Sequence, residues 1–590
     1  MSKQVRRTPS PSKSRRQLLQ GLLMGCVASA LAPTTHAARS TVGSTTSGTA
    51  AVMTGPVVDL VIGESHVNFT GESRIATTIN GSLPAPTLKF REGDEVTIRV
   101  TNTLRVPTSI HWHGIILPYQ MDGVPGISFN GIAPGETFVY KFTLQQSGTY
   151  WYHSHSGFQK MTGLYGALII EPREGELYPV DHDHIVQLSD WTDEDPMRVF
   201  AKLKMQSDMY NYNQPTVGDF FSDIANNGLG LALENRKMWN QMRMNPTDLA
   251  DLSASTLTFL INGRTTNDNW TGIAKPGERV RVRFINTSSN TLFDVRIPGL
   301  SMQIIQADGQ NVKPVSIDEF RFGPGETYDA IIETTDEAHT LFAQSIDRSG
   351  FVRGSLAATA GLEAAVPAMD KAEPLSMTDM MGDMSAMDHG AEHAGHAAPA
   401  PQNQHDHSAH QNPLSVPSQT VRHARTEYGA TVDARVNTPR TNLDDPGIGL
   451  RNNGRRVLTL ADLHSLEALD PVTPVREIEL HLTGNMERYS WSIDGLEFKD
   501  SSPIHMQHGE CVRIILQNDT MMTHPMHLHG MWSDIENEHG ELLSRRHTIL
   551  VQPAQRISFL TTPEDAGRWA WHCHLMFHMD AGMFRKVVVS

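Results

Sequence analysis

Four histidine pairs, His111/His113, His153/His155, His527/His529 and His572/His574, share one spacing, with a single residue between the two members. Imidazole nitrogen is a ligand for borderline metal ions, and eight imidazoles are more than one ion takes up. Cys573 lies between His572 and His574, His578 and Met583 follow it, and His524 precedes the third pair. Two histidines, one cysteine and a distant methionine are the donor set of a blue-copper electron-transfer site. The chemistry this points to is a one-electron site beside a polynuclear histidine cluster, joined through the backbone of His572-Cys573-His574. Zinc has no use for a thiolate wired to such a cluster. A cysteine nucleophile fits Cys573 alone, but not its flanking histidines or the downstream methionine.

Such pairs need strands to hold them. In a strand, residues i and i+2 point to the same face, so each pair is a same-face pair and Cys573 faces the other way. His524 stands three residues before His527, an odd spacing that also turns it away from the pair. Short alternating runs ending in Gly, Pro or Asn are frequent, which is a strand signal. One run occurs three times: Gly93–Asn102, Gly277–Asn286 and Gly509–Asn518, each nine residues from Gly to Asn. Nine and eleven residues after Asn102 and Asn518 come His111/His113 and His527/His529. The same offsets from Asn286 give Val295 and Ile297. A second repeated block runs from Pro134 through Gly148 to His153 and His155, and again from Pro553 through Gly567 to His572 and His574. Three related β-sandwich domains follow, near 55–173, 180–357 and 420–590. The middle one has lost its ligands and carries a helical insertion around 195–250. The histidine cluster belongs at a seam between the first and third.

The chain has 590 residues, 49 Lys+Arg, 65 Asp+Glu and 3 Cys. That length suits several domains. The net charge of −16 argues against nucleic acid as a partner, since phosphate binding needs basic surface. Three cysteines exclude a disulfide-rich scaffold and any four-Cys metal site. Residues 1–17 hold six basic side chains and no acidic one, then an apolar stretch runs from Leu18 to Leu31 and ends near Ala37. Residues 1–37 read as an export signal, and Ser14-Arg15-Arg16-Gln17-Leu18-Leu19 resembles a twin-arginine motif. An ordinary secretory signal is the alternative. The expectation is a periplasmic protein with no membrane span. Cys511 is expected to be a buried or partly buried free thiol.

The motifs His111-Trp-His-Gly114, His153-Ser-His155, His524-Pro-Met-His-Leu-His-Gly530 and His572-Cys-His-Leu-Met-Phe-His578 with Met583 resemble those of the multicopper oxidases, from about residue 55 to 590. Thr247-Asp-Leu-Ala-Asp251, Asp444-Asp-Pro-Gly-Ile-Gly-Leu450 and Met521-Met-Thr-His-Pro525 resemble, more narrowly, the periplasmic copper-resistance group of that family. The resemblance implies three cupredoxin-like Greek-key domains and four coppers per chain. It gives His524, Cys573, His578 and Met583 to type 1 copper, and His111 and His527 to type 2. It gives His113, His153 and His574 to one type 3 copper, and His155, His529 and His572 to the other. Electrons would enter at type 1, pass along Cys573, and reduce O₂ to water at the cluster. Asp122, in Met121-Asp-Gly-Val-Pro125, resembles the family's acidic residue near the cluster and is the proton-relay candidate; a plain Asp-Gly turn is its alternative. Where some of the family carry a glutamate, this chain has Met579.

Residues 369–387 hold six methionines, Met377, Met380, Met381, Met384 and Met387 among them, and residues 389–410 hold six histidines, beginning with His389, His393 and His396. With few branched or aromatic residues, 362–419 is expected to be a disordered linker between domains two and three. Thioethers suit Cu(I) and imidazoles Cu(II), so accessory copper capture or delivery is the functional reading and a plain solvated linker the other. Met238 and Met242, at i and i+4 on one helix face, are read with Met244 as packing. The expected reaction is O₂-coupled oxidation of Cu(I), and of phenols in laccase fashion, serving copper tolerance with other periplasmic copper-handling proteins as partners. The competing class is a copper-sequestering protein with little turnover.

Overall fold

The computed structural model describes residues 50–211, 213–382 and 414–590. The export segment and Met384, Met387, His389, His393 and His396 lie outside the described residues. Among the described residues, strands dominate and form six sheets. They make three two-layer cupredoxin-like sandwiches: four and five strands, then six and five, then six and five.

The thrice-repeated Gly-to-Asn run forms the equivalent strands Glu95–Asn102, Arg279–Asn286 and Val512–Asn518. Each pairs in parallel with an earlier strand and antiparallel with a later one. Each closing asparagine is fully buried and makes the same contacts. Asn102 Nδ2 donates to the carbonyls of Val106 and Ile132 at 2.9 and 2.8 Å. Asn286 does so to Thr291 and Phe322 at 3.1 and 3.0 Å, and Asn518 to Met522 and Val551 at 2.7 and 3.0 Å. Each Oδ1 accepts the backbone N–H two residues on. A chain turning inside a protein must pair its peptide groups away from water, and one amide side chain offers both donors and acceptor. This corner fixes the path into the next strand, and so the offset to the histidines.

After the first corner, His111–His113 pairs antiparallel with Gly148–His153, with His111 opposite His153. After the third, His524–Leu528 pairs with Gly567–Cys573, with His527 opposite His572 and Met526 opposite Cys573. In the middle sandwich the same register sets Val295 against Ala343, both fully buried. Alternation sends the intervening residues inward: Trp112 packs on Tyr140 at 5.3 Å between ring centroids.

The middle insertion is helical, as Pro196–Met205, Val217–Asn227 and Leu229–Met242. Asp195 caps the first helix, and Thr216 with Asp219 forms a capping box on the second. Met244 is buried and Met242 packs against the core. Part of the stretch expected to be a disordered linker is ordered. Met377–Met381 is a short helix with a Ser376–Asp379 capping box, and Arg451 pairs with Asp379 at 2.6 Å. Met380 is fully buried in the core and Met377 and Met381 pack beside it. Apolar burial wins over solvation for these three thioethers. That removes Met380 from the candidates for copper capture. Among the described residues, no helix is long and apolar enough to cross a membrane.

Candidate metal centres

The four histidine pairs, two in the first sandwich and two in the third more than 370 positions later, meet at one seam. His113, His153 and His574 converge, as do His155, His529 and His572, and as do His111, His113 and His527. His572 Nε2 lies 3.1 Å from His155 Nε2 and 3.0 Å from His529 Nε2. The imidazoles of His113 and His527 stack at 3.8 Å, and those of His111 and His529 at 3.9 Å. Bringing so many basic rings together out of water is costly unless something else satisfies their inner nitrogens.

The inner nitrogens fit a metal. His111, His153, His527 and His574 each have an Nε2, and His113 an Nδ1, that is buried without a hydrogen-bond partner. The opposite nitrogens are engaged. Nδ1 of His111 meets the Asp122 carbonyl at 2.8 Å, that of His153 the Ser154 carbonyl at 2.9 Å, and that of His527 the His547 carbonyl at 2.6 Å. His572 Nδ1 donates to the Cys573 carbonyl at 2.9 Å. His113 is turned the other way, its Nε2 being 3.1 Å from Thr548 Oγ1. Such outer hydrogen bonds select the tautomer that leaves the inner lone pair free for a metal. Asp122 is buried, and both its carboxylate oxygens lie 3.1 Å from His529 Nδ1.

A second set lies on the other face of the strand that ends at Cys573. His524 Nδ1 is 3.5 Å and His578 Nδ1 3.8 Å from Cys573 Sγ, and the two nitrogens are 3.1 Å apart. All three side chains are completely buried. The backbone brings in Met583: Cys573 N–H donates to the Met583 carbonyl, and Met583 N–H to that of His578. Thr520 Oγ1 is 2.7 Å from His524 Nε2, which again leaves Nδ1 inward. Trp491 stacks on the His578 ring at 3.8 Å. Asp251 stands 3.0 Å from His578 Nε2, though not aligned as a hydrogen bond. Burial pushes the Cys573 thiol well above its ordinary pKa. A thiolate there therefore needs a cation beside it, as a coordinating metal provides.

Several supporting residues carry no motif. Lys160, in the loop after His155, is buried with Nζ 3.3 Å from His574 Nδ1 and 3.2 Å from the Ser288 carbonyl. Burial brings its pKa down to about 7. Arg546 is fully buried between Asp308 and Glu326 of the middle sandwich, at 2.9 and 2.7 Å. Asp308 Oδ2 also accepts the N–H groups of His547 and Thr548, the residues that touch His527 and His113. The domain without ligands thus holds the partners of the ligands. Asp308 and Glu326 stand in turns and Arg546 ends a strand beside Arg545, so nothing local in the sequence marks them.

Gly325 approaches the seam from the same domain, with φ +101°. A methyl there would stand 3.2 Å from the rings of His113 and His574 and from Thr548 Oγ1. Gly325→Ala is expected to weaken copper binding at the seam by about ten- to a hundredfold. Copper counted per chain checks this, with the type 1 colour as the unaffected control.

Burial depresses the pKa of eight ligand-type imidazoles: His113, His153, His155, His524, His527, His529, His572 and His574. Below pH 6.5 the unfolded chain binds protons that the folded copper-free chain does not, so stability falls with falling pH. The loss should begin near pH 6.5 and continue to about 3, where His572 itself takes up its proton. One such imidazole contributes a slope of up to about 1.4 kcal/mol per pH unit. Denaturant unfolding of copper-free protein across this range measures it.

Comparison with known proteins agrees with this chemistry. Family models described as multicopper oxidase match residues 61–175, 182–362 and 471–590. The chain is 51% identical to copper resistance protein A of Escherichia coli, over 98% of this chain and 99% of that one. It is 52% identical to a copper resistance protein A homolog of Pseudomonas syringae pv. tomato, over 91% and 93%. Among solved structures, Fet3p, a multicopper oxidase that functions in iron import, superposes with TM-score 0.62 at 18% identity, covering 91% of each chain.

Proposed function

The chain belongs to the multicopper oxidase family, and from that membership we propose that its donor is Cu(I), with phenols as further substrates, in the service of copper tolerance. It is an oxidoreductase with O₂ as acceptor and copper as cofactor, in type 1, type 2 and type 3 sites. The names of its half-identical relatives support the copper-tolerance reading. The observation that carries the oxidase chemistry is the continuity of Cys573, the buried thiol that ends the strand Gly567–Cys573, with the seam histidines His572 and His574 on either side of it.

His524, Cys573, His578 and Met583 would hold type 1 copper. His111 and His527 would hold type 2. His113, His153 and His574 would hold one type 3 copper, and His155, His529 and His572 the other. Bound copper supplies the one-electron steps and the reduction of O₂ to water. Cys573 links the two centres through covalent bonds. The second sandwich keeps Thr548 and His547 in place through Asp308 and so keeps His113 and His527 oriented. Asp122 accepts from His529 Nδ1 and would hand on protons that O₂ reduction consumes. The basic amino-terminal segment supports export to the periplasm by the twin-arginine route.

The test compares O₂ uptake with Cu(I) and with a phenol on one preparation, and counts copper. About four coppers per chain with steady uptake supports the oxidase. Many more coppers with negligible uptake supports sequestration instead.

The Met/His-rich tract is the remaining candidate for accessory copper. Because Met380 packs in the core, a deletion from 369 would damage the fold. Deleting 383–410 is expected to lower the copper bound per chain and leave phenol turnover unchanged. Unaltered stoichiometry would assign the tract no copper role.

A further inference from the structure

A second group of ligand-type side chains lies on another part of the third sandwich. His423, Glu427, His481 and Asp519 converge, their side chains between 0% and 6% exposed. His423 Nδ1 is 2.7 Å from Glu427 Oε2 and 3.5 Å from Asp519 Oδ2. His481 Nδ1 is 3.1 Å and 3.0 Å from the same two oxygens. The imidazoles stand at 83° to each other. Two nitrogens and two carboxylate oxygens therefore alternate around one point.

A tetrahedral ion with bonds of about 2.0–2.2 Å has edges of about 3.3–3.6 Å, so the four atoms, now 2.7 to 3.5 Å apart, would part by up to about 0.6 Å to take it. Glu427, Asp519 and His481 are also held from outside. Glu427 Oε1 accepts Ala424 N–H at 2.7 Å, leaving Oε2 inward. Asp519 Oδ1 accepts Val436 N–H and Gln517 Nε2, leaving Oδ2 inward. His481 Nε2 meets Glu479 Oε1 at 3.1 Å, the carboxylate–histidine arrangement that orients a metal-bound imidazole. Arg556 anchors that glutamate at 2.6 Å. Both imidazole Nδ1 atoms face the same two carboxylate oxygens, so one ion between them would meet all four at once.

We propose that His423, Glu427, His481 and Asp519 bind one divalent borderline ion, zinc(II) or copper(II), apart from the oxidase coppers. The absence of sulfur disfavours Cu(I), and two imidazoles with two carboxylates suit either divalent ion. The ion joins two parts of the chain. His423 and Glu427 lie on the segment that enters the third sandwich after the Met/His-rich tract. His481 and Asp519 lie on and just beyond its paired strands Arg476–Asn485 and Val512–Asn518. Asp519 also precedes Thr520, which touches His524. The bound ion would thus clamp the incoming segment beside the loop of the type 1 site.

The full-length, copper-loaded protein is equilibrated with Zn(II) alone or Cu(II) alone against a competing chelator, and metal per chain is counted. Wild type is expected to retain one equivalent more than His423→Ala and than Glu427→Gln, with the oxidase coppers and blue colour unchanged. Whichever ion supplies that equivalent identifies the site's metal. Co(II) added to wild type should give the intense visible bands of a tetrahedral ion, lost in Glu427→Gln. Equal metal in wild type and both variants, or no tetrahedral Co(II) spectrum in wild type, would overturn the proposal. The cluster would then be an imidazolium held by carboxylates.

Discussion

Cys573→Ser is expected to lose both the blue absorption and O₂ consumption, down to background. The sulfur sits completely buried at the end of the strand Gly567–Cys573, within 3.8 Å of both His524 Nδ1 and His578 Nδ1. Only a thiolate gives the ligand-to-metal charge transfer behind the colour, and a serine hydroxyl is both harder and far less acidic. The substitution changes one atom and little volume, so the sandwich should still form. Its neighbours His572 and His574 face the seam, and the seam should keep its copper. Visible absorption, copper count and an oxygen electrode on the same sample separate the effects. A variant that keeps full oxidase activity would refute the electron path through Cys573.

The second large effect is expected at Asp122. Its carboxylate is buried against His529 Nδ1, and its backbone carbonyl receives His111 Nδ1. Asp122→Asn keeps an oxygen for His529 to donate to and leaves the backbone contact untouched. It removes a group that exchanges protons. O₂ reduction should therefore slow by about 10²- to 10⁴-fold, the range for losing a positioned proton carrier. Copper content and blue colour should be retained. A rate close to wild type would return Asp122 to the role of a turn residue that orients two histidines. Loss of copper together with rate would show the same by another route.

Much of this protein was legible in its spacing. Period two put each His pair on one face and Cys573 on the other, because alternation is a property of any strand backbone. The nine-residue offset from Asn102 and Asn518 to their histidines repeated because one buried amide satisfies the same turn three times. Donor chemistry named the metal. Alternation and spacing are local, so one chain read in order reveals them.

Tertiary structure decided the rest. It brought His113 to Thr548 and His155 to His572, over 400 residues apart. It set which nitrogen of each imidazole faces inward, because that depends on a carbonyl or hydroxyl with no sequence signature. It put Lys160, Asp308 and Arg546 behind the ligands, since a buried charge is recognised by its partner and not by its neighbours in the chain. It drew Met380 into the core from a stretch whose composition reads as solvated, because a few apolar contacts against a preformed sheet outweigh the bias of the surrounding residues.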